Sequence, residues 1–174
     1  MFMLSKSQLR NRLKQARLDL PESDVAARSS RIVAQLKKVI DQADPETLHC
    51  FEPIASLHEV DVMPLIAYLK AERPDTIIYT SRYIGDGWRI ITLGGHAVTS
   101  RPRYDCVIVP MLGFDTRLHR LGYGGGYYDR LLSEQPRALK IGVCFELGQV
   151  SGLPTEPHDV PLDVVITEQQ IYRR

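Results

Sequence analysis

The chain has 174 residues, a formal net charge of +1, and 44% hydrophobic and 25% charged side chains. That is enough for one domain with a real core, taken to span residues 1–174. The near-neutral charge supplies no field for nucleic acid or an anionic membrane. Cys50, Cys106 and Cys144 lie far apart in apolar runs and form no C-x-x-C pair. They read as small buried hydrophobes in a reducing compartment. No apolar run approaches the roughly 20 residues of a membrane helix, and Met1-Phe2-Met3-Leu4 is too short for a signal-peptide core. The expectation is a soluble cytoplasmic protein with no nucleic-acid or membrane partner.

Ser5 and Gln8 have capping-box spacing, so a helix is predicted to start there, with Leu4 and Leu9 spaced for a hydrophobic staple. Leu9, Leu13, Ala16 and Leu20 form its apolar stripe, with Lys6, Arg10, Lys14 and Arg17 on the adjacent one. Lys6 and Arg10, near the helix start, are the candidates for an anionic ligand; Lys14 reads as solvated. Pro21 suits the first turn of a second helix, which Val25, Ile32, Leu36, Val39 and Ile40 carry to about residue 40. Thr47 to Phe51 is a short strand, and its His49 reads as a packing or surface residue. The loop from Ile54 to Asp61 follows that strand. Ligands in open α/β sheets bind beyond the carboxyl ends of strands, so Glu59 stands where a ligand contact could form, although a solvated glutamate is the commoner use of such a position. Asp61 caps a helix through Leu65, Ile66 and Leu69 to about Glu72.

Thr76 to Tyr79 and Trp88 to Leu93 are strands joined at Gly85-Asp86-Gly87 as a hairpin. Gly94 to Arg103 is a loop. Cys106 to Val109 is a strand buried on both faces, ended by Pro110. A helix from about Gly124 to Glu134, a strand from Ala138 to Cys144, a proline-rich loop from Thr155 to Asp163 and a last strand from Val164 to Thr167 complete the chain. Strands alternating with helices predict an α/β fold: a mainly parallel sheet covered by helices on both faces, in three layers.

The densest chemistry lies in Arg120-Leu121-Gly122-Tyr123-Gly124-Gly125-Gly126-Tyr127-Tyr128-Asp129-Arg130. Glycines let backbone approach a ligand closely, and N–H groups entering a helix attract anions. The stretch reads as a nucleotide-phosphate cradle, with a ligand-free surface turn as the simpler alternative. It matches neither the Walker sequence nor G-x-G-x-x-G. Asp129 could hold Mg²⁺, and Asp163 before the last strand could supply a second carboxylate. Together these parts describe phosphoryl transfer by positioning and charge neutralisation.

Val109-Pro110-Met111-Leu112-Gly113-Phe114-Asp115 followed by the glycine stretch resembles the signature of the 5-formyltetrahydrofolate cyclo-ligase family. Lys6-x-x-Leu9-Arg10, Glu59-Val60-Asp61 and Glu156-Pro157-His158-Asp159-Val160-Pro161-Leu162-Asp163 fit as well. The resemblance implies a fold related to the ribose-5-phosphate isomerase and CoA-transferase group. It also implies a ligase that uses ATP and Mg²⁺ to turn 5-formyltetrahydrofolate into 5,10-methenyltetrahydrofolate, releasing ADP and phosphate. By that resemblance Lys6, Arg10, Arg120, Leu121, Gly122, Tyr123, Gly124, Gly125, Gly126, Tyr127 and Tyr128 bind ATP. Ile54, Glu59, Gly124 to Gly126 and Tyr127 meet the folate. Arg120 and Tyr127 serve catalysis, Asp129 and Asp163 hold the magnesium, and the protein acts as a monomer on folate and ATP.

Two positions depart from the family pattern. Leu118 stands where the family has glycine, so a positive φ there would strain it. The segment from Leu93 to Arg103 is short and lacks a Gly-Ile-x-Glu-Pro-like motif that walls the folate site. A divergent folate- or nucleotide-binding member with weak or lost catalysis therefore stays open. So does a sugar-phosphate or CoA-ester enzyme on a related fold, since fold does not fix function.

Overall fold

The computed structural model describes residues 4–98, 102–157 and 159–174. Met1 to Met3, residues 99–101 of the short wall and His158 lie outside the described residues. Helix α1 spans Lys6–Leu18 and starts with the expected capping box: Gln8 N donates to Ser5 Oγ at 3.2 Å and Ser5 N to Gln8 Oε1 at 2.9 Å. Helix α2 spans Glu22–Ala43, with Pro21 as its N-cap rather than its first turn. Strand β1 is Thr47–His49, shorter than expected, and α3 is Met63–Glu72, with Asp61 Oδ1 accepting from Met63 N at 2.9 Å.

Strands β2, Ile77–Ile84, and β3, Gly87–Thr92, form the predicted hairpin. Strand β2 outruns the sequence expectation because Thr80 to Ile84 are held by β3 rather than by an apolar run. Strands β4 (Cys106–Pro110), β7 (Leu139–Val143) and β9 (Val164–Ile166) complete the parallel core. The seven-stranded sheet runs β10-β9-β7-β4-β1-β2-β3, with β10, Ile171–Arg173, antiparallel at one edge and β3 antiparallel at the other. Side chains alternate across it as the pleat requires. Cys106, Ile108, Val164 and Ile166 join the core of α2 and α3, while Val107, Val109 and Val165 join that of α4, Tyr127–Ser133, on the other face.

A second sheet of β5 (Gly113–Asp115), β6 (Arg120–Leu121) and β8 (Gln149–Val150) lies beside the first. Strands of two or three residues carry no readable period, so sequence does not reveal them. Helix α1 packs here: Leu9 and Leu13 bury against Leu112, Leu121 and Leu153. The small sheet thus mounts both the N-terminal helix and the glycine stretch.

One buried carboxylate secures this mount. Asp115 has no solvent exposure. Its Oδ1 accepts from the backbone N–H of Arg117 and His119, both at 3.0 Å. Its Oδ2 accepts from Leu153 N and His119 Nδ1, both at 3.2 Å. Burial alone would raise this carboxyl; the bonds from His119 and Leu153 outweigh it and hold the group below its ordinary value. The turn it stabilises places Leu118 at φ +60° with its side chain buried. The departure from glycine is therefore a left-handed leucine, held there by burial.

Asp115→Asn should lower stability by about 2–3 kcal/mol at neutral pH, since charge-assisted bonds are lost. A depressed folded pKa contributes stability fully above the unfolded value of about 4 and loses it as pH falls. The difference in urea midpoint between wild type and Asp115→Asn should therefore shrink below about pH 4; a constant gap would refute the assignment. Leu118→Gly should release about 1–2 kcal/mol of left-handed strain but lose about 2–5 kcal/mol of buried side chain. A net loss of about 1–3 kcal/mol is expected from those two terms in equilibrium unfolding.

Candidate functional site

Strands β1 and β4 are parallel neighbours, yet the crossover from β1 leads to β2 on one side and that from β4 to β7 on the other. Such a switch point opens a crevice at the carboxyl ends of the two strands. A cavity of about 440 Å³ lies there, bounded by Pro110 at the end of β4, the loop after β1, the β2–β3 hairpin, the start of α1 and the glycine stretch. Lys6, Arg10, Ile54, Glu59 and every residue from Arg120 to Asp129 line it.

The glycine stretch is a turn ahead of α4 rather than its first residues, so the helix begins three positions later than expected. Gly124 has φ +98° and Gly126 φ +67°. A Cβ on Gly124 would stand 3.3 Å from the Arg10 guanidinium carbon, so this glycine serves both its own conformation and the approach of a cation.

Three cations ring the turn, each held by an acceptor of the protein. Arg10 Nε donates to Gly122 O at 3.0 Å. Lys6 Nζ contacts Asp159 Oδ2 at 2.8 Å and Glu156 Oε1 at 3.1 Å. Burial would lower the Lys6 ammonium, but these two carboxylates outweigh it and raise it. Arg120 donates through Nη2 to Asp129 Oδ1 and through Nη1 to Val160 O at 2.6 Å. Burial lowers Arg120 from its ordinary value against the opposing fields of Asp129 and Asp159, and a guanidinium remains charged throughout.

On the adjacent wall, Glu59 is buried rather than solvated. Its Oε2 accepts from Ile54 N at 2.8 Å and its Oε1 from Tyr123 Oη at 2.7 Å. Arg17, predicted on the basic stripe adjacent to the apolar one, is buried and donates to the same Tyr123 oxygen. Burial, with Glu59 beside it, pushes the Tyr123 phenol above its ordinary range. Arg17, Tyr123 and Glu59 thus clamp α1, the glycine stretch and the β1 loop together. Ile54 is half exposed at the cavity edge.

The remaining wall is aromatic. Trp88 of β3 lies over Tyr127, with ring centroids 4.4 Å apart and planes at 30°. Tyr127 meets Tyr128 edge-on at 5.1 Å. Burial lifts the Tyr128 phenol well above its ordinary value, so it is a neutral hydroxyl.

One predicted ligand requires correction. Asp163 does not reach this cavity. Strand β9 is parallel to β7, so the residue before β9 lies at the amino ends of the strands, away from the crevice. There its Oδ2 accepts from Lys140 N at 2.8 Å, with Lys140 Nζ at 3.8 Å. The carboxylates of the proline-rich loop that do line the cavity are Glu156 and Asp159. Asp159 stands four residues before Asp163, and only the strand direction separates the two. Among the described residues no group of three His, Cys, Asp or Glu side chains is arranged to hold a metal ion. Trp88, Ser81 and Arg17 were also missed as parts of the site; Trp88, the single tryptophan beside the hairpin turn, was the strongest available signal.

Residues 95–168 match the model of the 5-formyltetrahydrofolate cyclo-ligase family. A 5-formyltetrahydrofolate cyclo-ligase of Mycoplasma genitalium is 41% identical over 63 residues, 36% of this chain and 38% of that protein. One from Escherichia coli K12 is 36% identical over 72 residues, 40% of each chain. The matched segment thus spans about two fifths of these relatives. The solved structure of a 5,10-methenyltetrahydrofolate synthetase from Mycoplasma pneumoniae superposes with a TM-score of 0.81 at 27% identity, covering 95% of this chain and 99% of that one. That of Aquifex aeolicus gives a TM-score of 0.77 at 26% identity, covering 97% and 92%.

Tyr123→Phe should cost about 1–3 kcal/mol, because two buried charged groups lose one hydroxyl partner. Thermal unfolding checks this, and an unchanged midpoint would remove the clamp. Over residues 95–168 this chain is similar in sequence to the 5-formyltetrahydrofolate cyclo-ligase family, and over nearly its whole length its fold matches the two solved 5,10-methenyltetrahydrofolate synthetases.

Proposed function

We propose that this chain converts 5-formyltetrahydrofolate to 5,10-methenyltetrahydrofolate at the expense of ATP, releasing ADP and phosphate. One observation carries the reading: a glycine turn ringed by Lys6, Arg10 and Arg120 opens beside the Trp88–Tyr127 aromatic wall in a single cavity. An anionic ligand and a flat ring system fit side by side there.

In this reading the formyl oxygen, pushed by the N5 lone pair, forms a bond to the γ-phosphorus, and the bridging bond to ADP breaks. N10 then bonds to the activated carbon, the carbon–oxygen bond breaks as phosphate leaves, and the N10 proton passes to water. No enzyme nucleophile is needed. Lys6, Arg10 and Arg120 counter phosphate charge, and the close walls hold the two substrates in line. Tyr127 meets the folate.

A magnesium ion fits the charge balance. Among the described lining residues, Lys6, Arg10 and Arg120 supply three positive charges against Glu52, Glu59, Asp129, Glu156 and Asp159, five negative. An anionic triphosphate entering that excess is favoured with a divalent cation. Asp129, with Asp159 near the same guanidinium, supplies the oxygen donors that would hold it. Such an ion neutralises charge on the transferring phosphoryl group. Asp163 has no part in it.

The short segment from Leu93 to Arg103 favours a second reading, a binding protein of the same family without turnover. The protein, ATP, Mg²⁺ and 5-formyltetrahydrofolate should together produce the methenyl absorbance. Arg120→Ala and Asp129→Ala should each lose turnover by about 100-fold or more, the scale of one pre-organised charge contact, while keeping wild-type circular dichroism. Thermal shifts with both ligands but no methenyl absorbance would establish the second reading instead.

A further inference from the structure

Outside these assigned residues, the buried imidazole of His49 lies behind the cavity wall, bonded to its Ser81. His49 has no solvent exposure, and burial pushes its imidazole down to about 3, so it is neutral at physiological pH. Its Nε2 lies 2.8 Å from Ser81 Oγ. Ser81 Oγ is hydrogen-bonded in turn to Tyr127 Oη. His49 Nδ1 is buried and has no partner.

That orphaned nitrogen fixes the direction of the chain. A buried N–H without an acceptor is rarer and costlier than an unused lone pair. The favoured tautomer therefore carries its proton on Nε2 and donates to Ser81. Ser81 then donates to Tyr127, whose own proton is directed onward. We propose that His49 and Ser81 are positioning residues: they form a one-way hydrogen-bond relay from the core that sets the Tyr127 hydroxyl as a donor to an acceptor oxygen of the bound ligand.

The ligand's identity rests on the cyclo-ligase reading; the relay itself does not. Ser81 and Trp88 sit on the two strands of one hairpin, and Tyr127 is held between them. Trp88 is the only tryptophan, so its fluorescence reports the Tyr127 ring whether or not the protein turns over.

Ser81 is only partly buried, so Ser81→Ala should fold. Its Trp88 emission should move from the wild-type spectrum toward that of Tyr127→Ala, and Ser81→Thr should restore it. With 5-formyltetrahydrofolate and ATP, kcat should fall about tenfold, the equivalent of one hydrogen bond. The KM for ATP should not change. His49→Leu, if folded, should match Ser81→Ala. Wild-type emission and kcat in Ser81→Ala, or a Ser81→Thr as impaired as the alanine variant, would overturn the relay. If wild type yields no methenyl absorbance, the emission spectra alone decide, so failure of the relay and failure of the cyclo-ligase reading remain distinct.

Discussion

The arrangement of the molecule depends on the parallel pairing of β1 with β4. Leu48 faces Cys106 and His49 faces Val107 in that pairing, with crossovers departing in opposite directions. Polar, aromatic and glycine residues are brought to the rim of the resulting crevice by several elements: α1 supplies Lys6 and Arg10, the β2–β3 hairpin Ser81 and Trp88, β6 Arg120, the turn after it the glycines, and α4 Asp129.

The cations at that rim are not waiting in solvent. Arg10 is held by a carbonyl, Lys6 by two carboxylates and Arg120 by a carboxylate and a carbonyl. Such internal partners cut the side-chain entropy lost when a ligand binds. They also set a threshold, because a phosphate must offer more than the protein groups it displaces. Under the proposed reading, that competition favours a multiply charged ligand.

The sheet was readable wherever apolar residues ran continuously. Cys106 to Val109 and Leu139 to Val143 are buried on both faces and announce themselves. The capping box of α1 was equally direct, since it is purely local chemistry. Strands β5, β6, β8 and β10 were not legible, because their pairing rather than their composition makes them strands. The same holds at the site. The glycine signature located its floor, but the burial of Arg17 and the relay behind Tyr127 arise from packing between distant segments. Asp163 shows the limit most clearly: the direction of β9 decides which carboxylates of its loop face the cavity.

The β2–β3 hairpin reaches well past its support. Strand β1 pairs with only Ile77 to Tyr79 of β2, so Thr80 to Ile84 are paired only with β3. A two-stranded ribbon is marginally stable by itself, and such regions open at lower free energy than the body of a fold. The amides of this outer ribbon therefore exchange with solvent ahead of those in β4 and β7. One wall of the cavity can thus open by local fraying while the parallel core remains folded, giving large ligands a way in that requires no movement of the cation ring.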